Sequence, residues 1–375
     1  MDLVIWLVAY GFVAGLAVLT FWLSQKETVL NGKKNILYIG KKDSLKEVVY
    51  ALGFALLFMA VNIICTKTGA GYGGDRTNYE WAFTHGNVMS KGLEVVYDLV
   101  RHTTGNFEHV MYFTTFVCAF ITLFSFLKCE DRSLTALIFL LTTDCVFFTF
   151  TALKQSYSCA FAALLFMLLT KKRSIVRDIV CVVLVVLAFL FHPTGIILLP
   201  VLVLCYPKKM PDKLMIAYIA VIVLGVVFFK QIGILASYVA KPFSTKLYNV
   251  LDKYFREGNK YENISRTVFI KGAAYYLLFG LGIFYRKKLI EKITGYDRYL
   301  IVLGLASAVY LCSFHEYWSY RLVYYFMVPA GLFAGILFKN IENKIGKLLA
   351  LSAIGINGLF FLRWIYLIYI NYGMF

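Results

Sequence analysis

The residues that could do chemistry gather around a glycine-rich stretch, Gly69–Phe83 (GAGYGGDRTNYEWAF). Glycine lets backbone turn sharply and approach a ligand closely, and Asp75, Arg76 and Tyr79 follow directly. Further along come Glu94, the pair Lys154–Gln155, His192 before a proline, and His315, Glu316 and Arg321 in one short turn. Arg76, Lys154, His192 and Arg321 offer cations for a phosphate or pyrophosphate, and arginine can grip one with two parallel hydrogen bonds. Asp75 and Glu94 offer an acid or base for a hydroxyl. They are also the kind of oxygen ligands a divalent cation bridging a pyrophosphate would take. His315 and Glu316 are adjacent, so they cannot share a helical face as metal ligands four residues apart would. No spacing indicates zinc, and no cofactor is expected. The absence of a phosphate-binding loop motif disfavours ATP-driven transport. The plain alternative for the glycine stretch is an ordinary polar loop between two spans.

The surrounding chain must hold these groups in a bilayer. Of its 375 residues 60% are hydrophobic, and the mean hydropathy is +0.72. This composition excludes an ordinary soluble domain. A net charge of +17 would point to nucleic acid in a soluble protein, but here the basic residues sit in short clusters between apolar runs, and no nucleic-acid partner is expected. The eight cysteines are scattered without a CxxC pair, so they read as buried, inert thiols. A span needs about 20 apolar residues. Candidate runs are Leu3–Leu23, Glu47–Thr66, His109–Leu127, Leu134–Thr151, Gln155–Thr170, Asp178–Phe191, Thr194–Tyr206, Leu214–Phe229, Thr267–Tyr285, Tyr299–Phe314, Leu322–Phe338 and Leu348–Tyr372. The expectation is an all-α, single transmembrane domain over residues 1–375 with about twelve spans, the first retained and not cleaved. The two runs flanking His192–Pro193 are short and read equally well as one broken or re-entrant element.

Six short loops carry 23 of the 38 basic residues, and all six fall on one face if the spans alternate. The positive-inside rule makes that face cytoplasmic and puts both termini outside. The two long outer loops are then 67–108 and 230–266. Every polar group named above lies on the outer side, as do all five histidines. Two outer stretches read as surface helices. In Ser90–Thr104, Leu93, Val96, Tyr97 and Val100 form a stripe opposite Glu94, Asp98 and Arg101, and Gly105 suits a helix stop. In Phe243–Glu257, Leu247, Leu251, Tyr254 and Phe255 face away from Lys246, Lys253 and Arg256. Such helices rest at the headgroups or simply pack on the bundle. Asp144, Lys271 and Arg363 fall inside spans, where lone charges are costly, so Asp144 with Lys271 or Arg363 reads as a structural pair or as a lining of the substrate path. Most aromatics near the outer face belong by default to the interfacial belt.

Taken together, these residues resemble the EpsG family, Wzy-like polymerases of exopolysaccharide and capsule repeat units. The likeness lies in Gly73-Gly74-Asp75-Arg76-Thr77-Asn78-Tyr79 with Phe83, in Lys91-Gly92-Leu93-Glu94-Val95-Val96-Tyr97, in Lys154-Gln155-Ser156, in Phe191-His192-Pro193-Thr194-Gly195 with Pro200, and in Arg321 with Tyr324 and Tyr325. The family usually has arginine where Lys154 stands. The resemblance implies a glycosyltransferase-C-like bundle in the bacterial inner membrane. It implies a transferase of undecaprenyl-diphosphate-linked oligosaccharides at the outer leaflet, working beside a flippase and a chain-length regulator. In that reading Asp75 is the base, and Arg76, Lys154 and Arg321 contact the diphosphate. His192 orients or protonates there, while Glu94 and Tyr79 shape the acceptor site, with Gln155, Tyr324 and Tyr325 nearby.

Three other readings stay open at this level. A transferase using a polyprenyl-phosphate monosaccharide would add one sugar instead of joining repeats, and an outer-loop acid with a surface helix suits it equally. A flippase would carry polar residues through the full depth of the bundle, and the inner halves of these spans are almost free of charge. An acyltransferase would centre on a histidine such as His192 or His315.

Overall fold

The computed structural model describes residues 44–67, 75–87, 89–143, 152–207, 209–242, 268–313 and 317–371, with isolated positions between 11 and 18 and between 245 and 255. Within these residues the chain is helical. The helices are α1 (Ser44–Lys67), α2 (Asp75–His85), α3 (Lys91–Thr103), α4 (Phe107–Leu127), α5 (Leu134–Leu141), α6 (Leu153–Thr170), α7 (Ile175–Phe191), α8 (Leu198–Leu204), α9 (Asp212–Val227), α10 (Phe229–Ala240), α11 (Ala273–Leu289), α12 (Tyr296–Cys312), α13 (Met327–Asn340) and α14 (Lys344–Asn371). Two tighter three-residue-per-turn segments, Pro193–Ile197 and Tyr317–Phe326, lead into α8 and α13.

Six stretches among the described residues are long and apolar enough to cross a membrane: Leu45–Ile64, Phe107–Leu127, Leu153–Thr170, Val268–Leu289, Ser319–Asn340 and Lys344–Arg363. A seventh arises if Asp212–Val227 and Phe229–Val239 count as one span, although the chain bends there by 81°. Among the described residues the expected count of about twelve is therefore not reached. The run Leu134–Thr151 contains only an eight-residue helix in its described part. The runs around His192–Pro193 become the 17-residue α7, a tight turn and the seven-residue α8. In α7 and α12 the first turn carries charge, with Arg177 and Asp178 in one and Asp297 and Arg298 in the other, which shortens the apolar length. The run Leu3–Leu23 lies almost wholly outside the described residues.

α13 is the axis of the bundle. Every residue from Met327 to Leu337 is buried, and α5, α11, α12 and α14 surround it. Gly331 and Gly335 allow close contact with α5: a Cβ on Gly331 would meet the Ala136 carbonyl at 3.0 Å, and one on Gly335 would collide with Ser133. A second, smaller core joins α2, α3 and the upper turns of α4 and α6. Here the stripe of α3 behaves as its spacing predicts. The Ser90 side chain accepts from the Leu93 N–H at 3.3 Å, Gly105 ends the run at φ +66°, and Leu93, Val96, Tyr97 and Val100 are buried. That face packs on protein, leaving Val95 and Leu99 outward. The second surface stretch, Phe243–Glu257, lies almost entirely outside the described residues.

The two ends of the bundle differ chemically. One end is a lattice of ion pairs and capped carbonyls. Glu47 meets Lys128 at 2.5 Å and Arg132 at 2.6 Å. Arg286 holds Asp297 at 2.8 Å, together with Asp212 and the Met210 carbonyl. Arg298 donates to the carbonyls of Leu169 and Cys205. This end gathers the short basic loops. The other end, where α1 stops and α4, α6 and α11 begin, carries the candidate chemistry.

Candidate functional site

Asp75 is the first residue of α2, where the positive end of the helix dipole favours a carboxylate. Its Oδ2 lies 3.9 Å from Nη1 of Arg321, with both side chains about half exposed. Arg321 rides on the Tyr317–Phe326 segment. Gln155, buried at the start of α6, anchors that segment: its Nε2 donates to the Arg321 carbonyl at 2.8 Å. One residue earlier, Lys154 places Nζ 5.8 Å from the centre of the Tyr79 ring and lies within the field of Asp75. Tyr79 is buried. Burial, and then the Asp75 charge, push its phenol well above the ordinary tyrosine range. It is therefore a neutral hydrogen-bonding group and not a base. Its carbonyl accepts from the Tyr97 hydroxyl at 3.0 Å, tying α3 to the site.

His192 stands between α7 and the tight turn that leads into α8. Burial, then Lys154 and Arg321, push its pKa down to about 4, so the ring is neutral at pH 7. Its Nδ1 lies 2.6 Å from Thr194 Oγ1. Thr194 Oγ1 lies 2.8 Å from the Tyr325 hydroxyl, which donates to Ser158 Oγ at 3.0 Å, and Ser158 donates to the Ala188 carbonyl at 2.8 Å. The neighbouring Gly195 has no room for a side chain, since a Cβ there would sit 2.6 Å from the Ala188 carbonyl carbon. Gly92 of α3 lies as close to the Phe191 ring, where an added Cβ would come within 2.5 Å. The Lys91–Glu94 turn thus sits beside the end of α7.

The geometry brings together Asp75, Tyr79, Lys154, Gln155, His192, Arg321 and Tyr325, drawn from α2, α6, the His192 turn and the segment before α13. Arg76 points elsewhere. It pairs with Glu80 at 3.7 Å and Glu108 at 3.9 Å and lies 6.0 Å from the Phe107 ring centre, joining α2 to α4. Tyr324 is buried and meets Tyr320 edge-on. Glu94 is half-buried on α3. Three of the other histidines bond or stack locally: His85 on Trp81, His102 to the Asp98 carbonyl, and His109 on Tyr112. His315, Glu316, Asp144 and Gly69–Gly74 lie outside the described residues, and so does any pairing of Asp144. Lys271 is buried, whereas Arg363 is exposed on α14. Among the described residues no three His, Cys, Asp or Glu side chains converge as metal ligands. Ser158 is the member that sequence reading passed over, and Thr194 enters it only as part of the motif around His192. Ser158 lies three residues after Gln155, on the same face of α6, which is the one local signal it offers.

No curated protein and no solved structure matches the chain. The EpsG family model matches residues 49–375, almost the whole sequence, and spans each part of the site described above. The chain belongs to the EpsG family.

Proposed function

We propose that this protein joins undecaprenyl-diphosphate-linked oligosaccharide repeats into a capsular or exopolysaccharide at the outer leaflet of a bacterial inner membrane. The observation that carries the reading is the Asp75–Arg321–Lys154 cluster: one carboxylate and two cations at a single polar end of a hydrophobic bundle, with His192 in the field of both cations. A glycosyl diphosphate needs both kinds of group. The anomeric C–O bond to the diphosphate breaks, and Arg321 and Lys154 take up the charge that stays on the departing phosphate oxygen. A new C–O bond forms to the acceptor sugar hydroxyl, and Asp75 receives that hydroxyl's proton. Tyr79 and Glu94 border the acceptor. Arg76, paired with two glutamates, holds α2 in place and is not assigned to the diphosphate. The polyprenyl tails would lie along the lipid-exposed helices, the basic end facing the cytoplasm and both termini outside. A glycosyltransferase-C-like architecture, a flippase and a chain-length regulator belong to the same proposal.

The test is glycan chain length in a deletion strain complemented with wild-type or Asp75→Asn protein. Accumulated single lipid-linked repeats without a ladder is the expected result. Wild-type ladders from normally inserted Asp75→Asn would sink the base assignment. Failure to form single repeats would move the protein to an earlier, single-sugar step.

A further inference from the structure

The chain of hydroxyls behind His192 has a polarity that follows from counting its hydrogens and weighing one competing backbone contact. Four contacts run in series: His192 Nδ1 to Thr194 Oγ1 (2.6 Å), Thr194 Oγ1 to Tyr325 Oη (2.8 Å), Tyr325 Oη to Ser158 Oγ (3.0 Å), and Ser158 Oγ to the Ala188 carbonyl (2.8 Å). Each needs one hydrogen. The far end is a carbonyl oxygen, which supplies none, and the three hydroxyls supply three. Ser158 must spend its hydrogen on Ala188, so Tyr325 must donate to Ser158, and Thr194 must donate to Tyr325. The fourth hydrogen has one source left, the imidazole.

We propose that His192 is held as the Nδ1–H tautomer by the Thr194–Tyr325–Ser158–Ala188 chain, leaving Nε2 as a bare lone pair that accepts a hydrogen bond from a sugar hydroxyl of the substrate. The substrate half rests on the function proposed above; the tautomer does not. Which nitrogen of a histidine carries the proton is set by the partner of the other nitrogen. The Thr194 backbone N–H also lies 3.3 Å from Nδ1. It is the longest contact in the group, and a protonated Nδ1 gives it up at a half-buried backbone N–H; keeping it would leave two oxygens facing each other without a hydrogen at 2.8–3.0 Å, where Tyr325 and Ser158 are fully buried. His192 then differs from the expectation that it protonates the diphosphate. A bare nitrogen repels phosphate oxygens and takes donors, and the diphosphate is left to Lys154 and Arg321. Tyr325 and Ser158 are buried and act as positioning residues through His192.

Nitrogen NMR of the full chain, labelled with 15N-histidine and purified in lipid nanodiscs, reads the tautomer without any substrate. The His192 signals are identified by their loss in His192→Gln. At pH 7 the expected pattern is a protonated Nδ1 and a bare Nε2; the reverse overturns the proposal. Tyr325→Phe removes the acceptor of the Thr194 hydroxyl, freeing that hydrogen for Nδ1, so the ring should switch to Nε2–H. Ser158→Ala gives the same switch by a smaller change, because Tyr325 can then donate to Thr194, and it serves if Tyr325→Phe does not fold. A folded variant of either kind that keeps Nδ1–H would refute the chain, since a purely structural role alters stability and leaves the tautomer alone. In polymerisation assays Ser158→Ala should raise KM for the acceptor repeat with donor KM unchanged. If the tautomer is as expected and no glycan forms under any condition, the polymerase reading fails while the tautomer stands.

Discussion

Replacing Arg321 with glutamine separates a site residue from a structural one, because the structure sets a low ceiling on what its ion pair contributes to stability. The nitrogen–oxygen distance to Asp75 is 3.9 Å. Coulomb's law gives about 1 kcal/mol for that separation in water and about 4 kcal/mol at an effective dielectric of about 20. The two side chains are 46% and 47% exposed, so solvent screens them strongly, and pairs of this kind measure about 0.2–1 kcal/mol. Glutamine also preserves the backbone carbonyl that Gln155 holds. Arg321→Gln should therefore lower the unfolding midpoint in detergent by a few degrees at most. Its effect on rate should be far larger. Removing one preorganised group from a developing negative charge typically costs about 10²–10³ in turnover. The assay is polymer formation from purified lipid-linked repeats, read as a ladder, alongside the unfolding midpoint of the same preparation. Arg286→Gln is the contrast. It would strand Asp297, whose side chain is 1% exposed, and breaking a buried pair in this way costs about 3–5 kcal/mol. If Arg321→Gln unfolds as readily as Arg286→Gln yet polymerises at the normal specific rate, the pair is scaffolding and the diphosphate assignment is wrong.

Lys154→Arg should keep most of the activity, since a cation remains beside Tyr79, whereas Lys154→Gln should lower it about 100-fold by the same charge argument; the ladder assay reads both. Gly195→Ala should destabilise by about 1–3 kcal/mol, because its Cβ would sit 2.6 Å from backbone that cannot swing aside, while Gly225→Ala in α9, with nothing within 4 Å, should be neutral or stabilise by up to about 1 kcal/mol. Thermal unfolding of the pair checks this. The His192 pKa of about 4 lies below the ordinary value of about 6.5, so between those pH values the unfolded chain binds more protons than the folded one. The stability due to His192 is then complete above about pH 6.5 and declines as pH falls toward 4. The unfolding midpoint of wild type should drop relative to that of His192→Gln across this window, and a constant difference would contradict the burial of a neutral ring.

Local patterns were legible in the sequence and long-range geometry was not. The α3 helix could be read because all its determinants lie within sixteen residues: Ser90 at the start, apolar positions three and four apart, and Gly105 at the stop. The number of spans could not, because hydropathy registers apolar length and not direction. The run Leu214–Phe229 does end where the chain bends by 81°, but the run after Leu134 is apolar and helical for only eight residues in its described part. On residue type and motif Arg76 reads as an anion ligand, and in the structure it faces two carboxylates. Its neighbour four residues on, Glu80, was the visible sign of a helical ion pair, while Glu108 became its second partner only through the packing of α2 on α4.

The site itself shows the same division between chemistry and placement. Asp75, Lys154 and Arg321 stand out as candidates because charge at the edge of an apolar run is costly and therefore informative, and His192 because it and Pro193 interrupt one. Nothing in the sequence connects Ser158 with Thr194 or Tyr325, since a serine in the middle of a helix ordinarily bonds its own backbone. Here Ser158 spends its hydrogen on Ala188, a residue of another helix, and that single choice propagates through Tyr325 and Thr194 to the imidazole. A small change to this terminus would be felt at His192 with no change in its immediate neighbours. That is why the tautomer follows from where the last hydrogen in the chain must go, and why Ser158→Ala, two hydroxyls away from the ring, is a sharper probe of the site than any substitution of the histidine.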